Sequence, residues 1–410
     1  MPAPVAPDRL AMLQAGMARQ LQGDLDGAER LFREVLARWP EEANALNLLG
    51  VIVRQRGDMA EALRLGERAV ARGPNEGAFL ANYGVTLAAA GQLRTAVKVL
   101  GDAVARRPGD AVTLRNLGQA LADMGDPFAA LIPLEHAAAL DADSPEPWLA
   151  LAHARRQLGD VEGACDAAET ALARAATAAP AIAAQAEFLL AALGRTPAPE
   201  RAPAAYVRDL FDGFAPRFEE QLTGTLDYRA PALMAELLDA AGVARARRLR
   251  VLDLGCGTGL SGVPLAPFAA RLEGLDLSPR MLAEAAKRPG LYDALHEADL
   301  LAWLPGQQGR FDLIVAADVL LYLGDLRPVL TAIAGALAPG GLAAFSVEEA
   351  EAGGAPHVLG AAMRYRHDPE ATRRLAAEAG LAQRLFRRAV LRREHGADVA
   401  GVLFLFGKPG

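Results

Sequence analysis

Four glycines crowd the stretch RLRVLDLGCGTGLSGVPLAPF, which begins at Arg248: Gly255, Gly257, Gly259 and Gly262. Glycines between a strand and a helix let the backbone approach a bound molecule closely and present its amide groups. By spacing alone, Gly257, Gly259 and Gly262 satisfy GxGxxG, the pattern of a dinucleotide-binding turn. Their neighbours point elsewhere. Asp253 precedes the turn inside DLGCGTG, and Asp276, in LDLSP, ends the next apolar run.

The elements that must position these residues follow from the patterning. After Arg248, short apolar runs alternate with helical stretches, as in a parallel sheet flanked by helices. LRVLDL, RLEGLD, ALHEAD, FDLIVAAD and GLAAFSVE read as strands, with LAPGG leading into the fifth. RLFRRAVLRR and VAGVLFLFG, around the turn EHGAD, read as a closing antiparallel pair. Upstream, YVRDLFDGFAPRFEEQLTGTLDYRAPALMAELLDAAGV reads as two amphipathic helices about a turn at Gly224, carrying Tyr206, Phe211, Phe214, Phe218 and Tyr228.

The first half has a different order. Gly23, Gly57, Gly91, Gly125 and Gly159 recur every 34 residues, as do Ala28, Ala62, Ala96, Ala130 and Ala164. Gly16, Gly50, Gly84 and Gly118 keep the same step, and Pro40, Pro74 and Pro108 close the first three units. Small residues let paired antiparallel helices approach, glycine ends the first helix and proline the second. This pattern resembles the tetratricopeptide repeat, although the first-helix Trp of that family appears only as Trp148. Five units over residues 9 to about 178 and a capping helix near 181–193 are expected. The organisation is then a repeat domain over 1–193, a Pro- and Ala-rich linker over 194–205, a helical cap over 206–247 and an α/β domain over 248–410. The resemblance implies a superhelix that binds a peptide or protein segment, with Asn47, Arg54, Arg115 and Arg156 as candidate lining.

DLGCGTG, LDLSP, the strand ending in AAD and LAPGG, in that order, resemble class I S-adenosylmethionine-dependent methyltransferases over residues 206–410. The whole arrangement is similar to bacterial predicted methyltransferases that carry tetratricopeptide repeats. The expected fold is an all-α solenoid followed by a Rossmann-like α/β domain, a mostly parallel seven-stranded sheet with an antiparallel last strand. The resemblance implies that Gly255, Cys256, Gly257 and Gly259 hold the amino-acid part of S-adenosyl-L-methionine, with Asp253 beside its ammonium group. It implies that Asp276 accepts the ribose hydroxyls, that Leu277 and Met281 flank the adenine, and that Asp299, with Leu300 beside it, meets the adenine amino group. Ala316, Asp318 and Tyr322 should border the reacting methyl and its acceptor, and Tyr206, Phe214 and Tyr228 should fold over the cofactor. Phe211 and Phe218 keep a core reading.

Methyl transfer from a sulfonium needs alignment and exclusion of water, and orientation can supply about 7 to 11 kcal/mol of the barrier. An oxygen or nitrogen acceptor that must lose a proton also needs a base. His367 and Asp318 are the catalytic candidates with Tyr322, and His357, Tyr365 and Glu348 lie near the same edge. In YRHDPEATRRL, His367 or Asp368 could instead cap the following helix. AADV is not the Asn/Asp-Pro-Pro-Tyr of enzymes that methylate amide or exocyclic nitrogens, and the adjacent glutamates of VEEAE differ from the spaced pair of arginine methyltransferases. The acceptor stays open between a small molecule and a protein. A scaffold with an inactive methyltransferase fold is the alternative.

Composition narrows the partners. The net charge is −7, no strong basic run occurs, and the two cysteines, Cys165 and Cys256, stand far apart without metal-ligand company. Nucleic acid, a metal centre and a membrane span are not expected. A soluble protein of a reducing cytoplasm is.

Overall fold

The computed structural model describes residues 8–175, 178–215, 218–220, 228–351, 354–394 and 397–410. The turns expected at Gly224 and within EHGAD at His395 and Gly396 lie outside them. The chain divides into two compact units, the first ending at Ile182 and the second beginning at Ala183.

The first unit is five helix pairs among the described residues. They are α1 (Arg9–Leu21) with α2 (Leu25–Arg38), α3 (Ala43–Gln55) with α4 (Met59–Arg72), α5 (Gly77–Ala89) with α6 (Leu93–Arg106), α7 (Ala111–Asp123) with α8 (Pro127–Leu140), and α9 (Pro145–Gln157) with α10 (Val161–Ala175). The glycine after each first helix takes a left-handed φ, from 76° at Gly159 to 90° at Gly125, which stops the helix without a Cβ clash. Asp24, Asp58 and Asp126, one residue later, accept amide hydrogens from Gly27, Glu61 and Ala129 and start the second helix. Ala28, Ala62, Ala96, Ala130 and Ala164 are at most 1% exposed, which gives the invariant small residue its reason: no room is left at the helix crossing.

The division at Ile182 and Ala183 falls within the first turn of α11 (Pro180–Ala192), and the second unit continues with α12 (Ala204–Phe214), α13 (Phe218–Glu220) and α14 (Ala230–Ala240). The sequence assigns 181–193 to the repeats, but from Ala183 onward the chain belongs to the second unit. There Phe188 packs on Tyr206 and Tyr365 at ring distances of 5.4 and 6.2 Å, and Gln185 bonds Asp209. Nor are residues 199–202 a free spacer. The Pro199 carbonyl accepts the Tyr365 hydroxyl at 2.6 Å, the Glu200 carbonyl accepts from Gly324, and the Ala202 amide donates to the Tyr322 carbonyl.

The sheet is built from β1 (Leu249–Leu254), β2 (Ala269–Asp276), β3 (Ala294–Glu297), β4 (Phe311–Ala316), β5 (Leu337–Glu349), β6 (His357–Leu359), β7 (Tyr365–His367), β8 (Ala382–Glu394) and β9 (Ala397–Gly407). Its order is β3-β2-β1-β4-β5, with β9 antiparallel to β5 and β8 antiparallel to β9. This is the expected mostly parallel sheet. Two short strands are added: β6 and β7 form a hairpin, and β7 continues parallel to the end of β5 at Glu348 and Glu349.

Intervening helices are α15 (Gly262–Leu265), α16 (Pro279–Ala285), α17 (Leu300–Trp303), α18 (Arg327–Ala336) and α19 (Pro369–Glu378). Apolar side chains of α14 and α15 cover one face, with Phe268, Val251 and Leu403, and those of α18 and α19 cover the other with Phe345, Phe404 and Phe406. Burial on both faces explains the continuous apolar runs of the inner strands. Among the described residues no helix is long and apolar enough to cross a membrane.

Candidate functional site

The strand order reverses beside β1, so the chain leaves β1 and β4 in opposite directions, and the C-terminal ends of these strands are where open α/β sheets hold their ligands. The glycine turn lies there. Gly255, Gly257 and Gly259 have φ of 63°, 54° and 88°, a region that side-chain-bearing residues rarely adopt. Their spatial reasons differ. A Cβ on Gly255 would stand 2.5 Å from Val319 Cγ2, and one on Gly259 would stand 3.0 Å from Arg288 Cδ. Only at Gly257 is the space open, with Phe218 Cε1 nearest at 3.6 Å.

Asp253 is fully buried below the turn. Its Oδ2 accepts from Ser261 Oγ and Tyr292 Oη, both at 2.7 Å, while Oδ1 has no partner. Burial pushes its carboxyl up to about 7, against the two hydrogen bonds, and the Asp276 charge adds to the rise. Asp276 ends β2 half-buried and accepts the Gly257 and Ser278 amides, each at 2.8 Å. Burial raises its carboxyl as well. Each carboxylate oxygen keeps a further lone pair. Cys256 is turned into the sheet: its amide donates to Leu275, and its thiol crowds Gly274. Met281 is completely buried and Leu277 half-buried beside it. Asp299 caps α17 through the Leu301 amide at 2.9 Å and pairs with Arg201 at 3.0 Å; Leu300 follows, half-buried.

At the end of β4, Ala316 is buried and Asp318 takes a left-handed φ of 60°. The Asp318 amide donates to Ser346 Oγ, and its carboxylate accepts from Arg392 Nη1 at 2.7 and 2.9 Å. The Tyr228 hydroxyl donates to the Ala317 carbonyl at 3.5 Å. Burial raises the Tyr228 and Tyr322 phenols, and the Asp318 charge reaches both. Tyr206 borders Tyr322, whereas Phe214 turns outward at 37% exposure. Phe211, given a core reading, packs edge-on to Tyr322 at 5.6 Å, and Phe218, likewise, is the ring nearest Gly257.

His367 is 1% exposed and its Nε2 donates to the Leu323 carbonyl at 2.8 Å, tying β7 to the segment after β4. Burial lowers it to about 4. Its other ring nitrogen, Nδ1, is buried without a partner. Asp368 caps α19 through the Ala371 amide at 2.7 Å.

Arg392 escaped the sequence reading for a local reason. The β8–β9 register shifts between Val390 and Arg392, so consecutive residues Leu391 and Arg392 both turn inward, at 0% and 5% exposure. Strict alternation would have sent one of them to solvent. Gly401, opposite, makes the room: a Cβ there would lie 2.3 Å from Leu391 Cδ1. Ser261 and Tyr292 were missed because only folding brings them to Asp253. Among the described residues no group of three or more potential metal ligands occurs.

Residues 251–341 match the family model of a methyltransferase domain, and residues 13–77 match that of a tetratricopeptide repeat. Methyltransferase-like protein 27 of Homo sapiens is 38% identical over 112 residues, covering 27% of this chain and 45% of that protein. A ubiquinone biosynthesis O-methyltransferase of Methylocella silvestris is 33% identical over 135 residues, 29% of this chain and 50% of its own length. A trans-aconitate 2-methyltransferase of Methylobacterium nodulans is 43% identical over 119 residues, 28% and 43% of the two chains. The chain spans about half the length of these curated relatives.

Proposed function

We propose that this chain, which carries tetratricopeptide repeats followed by a class I S-adenosylmethionine-dependent methyltransferase domain, methylates a small molecule or a protein side chain while its repeats hold a protein partner. The observation that carries the reading is the turn itself: three left-handed glycines, open at Gly257, above a buried Asp253 carboxylate with one oxygen unsatisfied. A cationic amine donor suits that oxygen, and Asp276 retains acceptor capacity for a pair of hydroxyls. The residues present therefore fit S-adenosylmethionine, which when bound supplies an electrophilic methyl on sulfur.

The chain's own residues bind and orient. Asp253 and Asp276 fix the two ends of the turn, Leu277 offers an apolar surface to the adenine, and Asp299 with Leu300 stands at its rim. Tyr206, Tyr228, Phe211, Phe218 and Tyr322 exclude water at the reacting end. Asp318 and Tyr322 border the acceptor. No base is assigned to His367, because the ring is 1% exposed and its lone-pair nitrogen, Nδ1, is buried without a partner. In the repeats, Asn82 donates to Asn47 at 3.1 Å between the first helices of neighbouring units, which supports a continuous binding face there.

Calorimetric titration tests the first step: S-adenosylmethionine and its demethylated product should bind, NAD should not, and Asp276→Ala should weaken binding at least tenfold. Binding of NAD alone would turn the turn into a dinucleotide site. Binding of neither would favour a repeat-based scaffold. Labelled methyl transferred into lysate and separated by size then divides protein from small-molecule acceptors.

A further inference from the structure

Asp253 is held by a tyrosine 39 residues further along the chain. Tyr292, in the segment before β3, donates its hydroxyl to Asp253 Oδ2 at 2.7 Å, and Ser261 donates to the same oxygen at the same distance. Both donors converge on Oδ2, and the buried Oδ1 stays without a partner. Three glycines make room for the phenol. A Cβ on Gly262 would stand 2.4 Å from the Tyr292 hydroxyl oxygen, one on Gly274 3.1 Å from Cε1, and one on Gly259 3.2 Å from Cε2. The room at the third glycine of the GxGxxG spacing is thus taken by this hydroxyl.

Filling that space needs only a ring. The hydroxyl adds a donor to a buried carboxyl, and hydrogen bonds donated to the ionised form favour it. Burial and the Asp253 charge push the Tyr292 phenol upward, so it keeps its proton and acts as a donor. The other groups around Asp253 do not take over this part. Asp276 opposes ionisation by its own charge, and burial pushes the Tyr228 phenol and the Cys256 thiol upward, so both stay neutral. Arg288, the cation packed on Gly259, is engaged by the Thr258 carbonyl and Glu219.

We propose that Tyr292 is a positioning residue for the methyl donor: with Ser261 it locks Asp253 through Oδ2 and favours the ionised carboxyl, leaving Oδ1 for the donor's ammonium group. The inference rests on the methyltransferase reading. The third glycine of the turn then serves the tyrosine and not a phosphate.

Tyr292→Phe keeps the ring and removes the hydroxyl. The full-length wild type and variant are titrated calorimetrically from pH 6 to 9 with the demethylated product of S-adenosylmethionine, which carries the same ammonium group. Loss of one hydrogen bond to a charged group should move the pH at which binding tightens upward by about one pH unit. The variant should then bind about tenfold more weakly than the wild type at pH 6 and nearly as well at pH 9. The ligand's own titration is common to both proteins and cancels in this ratio. Ser261→Ala removes the other donor to Oδ2, should show the same pH-dependent ratio, and stands in if Tyr292→Phe does not fold. A ratio constant across the range, or no loss at all, overturns the proposal while leaving cofactor binding intact. Absence of binding by the wild type at every pH overturns the methyltransferase reading and this inference with it.

Discussion

Arg392 Nη1 lies 2.7 and 2.9 Å from the two carboxylate oxygens of Asp318, although the residues stand 74 positions apart. One comes from a bulge in β8 and the other from a left-handed residue after β4, so the pair fastens the closing hairpin to the site. Removing the guanidinium leaves the Asp318 carboxylate buried without its partner and Glu348 with Arg364 alone. Arg392→Leu should lose about 3 to 5 kcal/mol in denaturant unfolding, and adding Asp318→Asn should recover part of it. A single variant as stable as the wild type would show that the cluster does not hold β8.

The three turn glycines should respond differently. At Gly255 an alanine meets both an unfavourable φ and Val319 at 2.5 Å, so unfolding and cofactor affinity should suffer together. At Gly257 the space is open, so alanine should cost only about 1 to 2 kcal/mol of backbone strain, yet lower S-adenosylmethionine affinity at least tenfold. Thermal melts and calorimetry on both variants separate the two effects.

Asp253 predicts a proton linkage. Its folded value, about 7, lies above its ordinary 3.8, so between these values the folded chain keeps a proton that the unfolded chain has lost. Its contribution to stability therefore falls as pH rises through that window and levels off above about 7. A cationic ligand beside it favours the ionised form. S-adenosylmethionine binding should then release a proton near pH 6 to 7 and tighten as pH rises, and Asp253→Asn should abolish both in titrations run in buffers of different ionisation heat.

His367 has the opposite sign. Its folded value is lowered to about 4 from 6.5, so its neutral form contributes fully above 6.5 and the contribution is lost as pH falls toward 4. Acid unfolding of the full chain should be less steep over that interval in His367→Gln. Equal slopes would assign the acid sensitivity to other groups.

Within the repeats, equivalent glycines differ in room. A Cβ on Gly118 would lie 2.4 Å from Leu134 Cγ, but one on Gly50 meets Leu65 Cβ at an ordinary 3.5 Å. Gly118→Ala should cost about 1 to 3 kcal/mol, whereas Gly50→Ala should be neutral or stabilise by up to about 1 kcal/mol through helix propensity. Denaturation midpoints of the two variants check this.

Local chemistry carried much of the architecture into the sequence. A glycine that must end a helix every 34 residues, alanines with no room to grow and apolar runs buried on both sheet faces each impose their residue type wherever they occur. The repeat array, the first five strands and the glycine turn were legible on that basis. What remained hidden depends on contacts between distant segments. The β8 bulge turned Arg392 inward against the strand alternation, the packing of Phe188 drew α11 into the second unit, and residues 199–202 were laid along Tyr322 and Gly324. Phe211 packs on Tyr322 and Phe218 lies nearest Gly257 because α12 and α13 bring them there, which no spacing within their own helices encodes. Sequence period decides which residues share a face; only the folded chain decides which face meets which, because that choice is made by packing and charge pairing across the whole sheet.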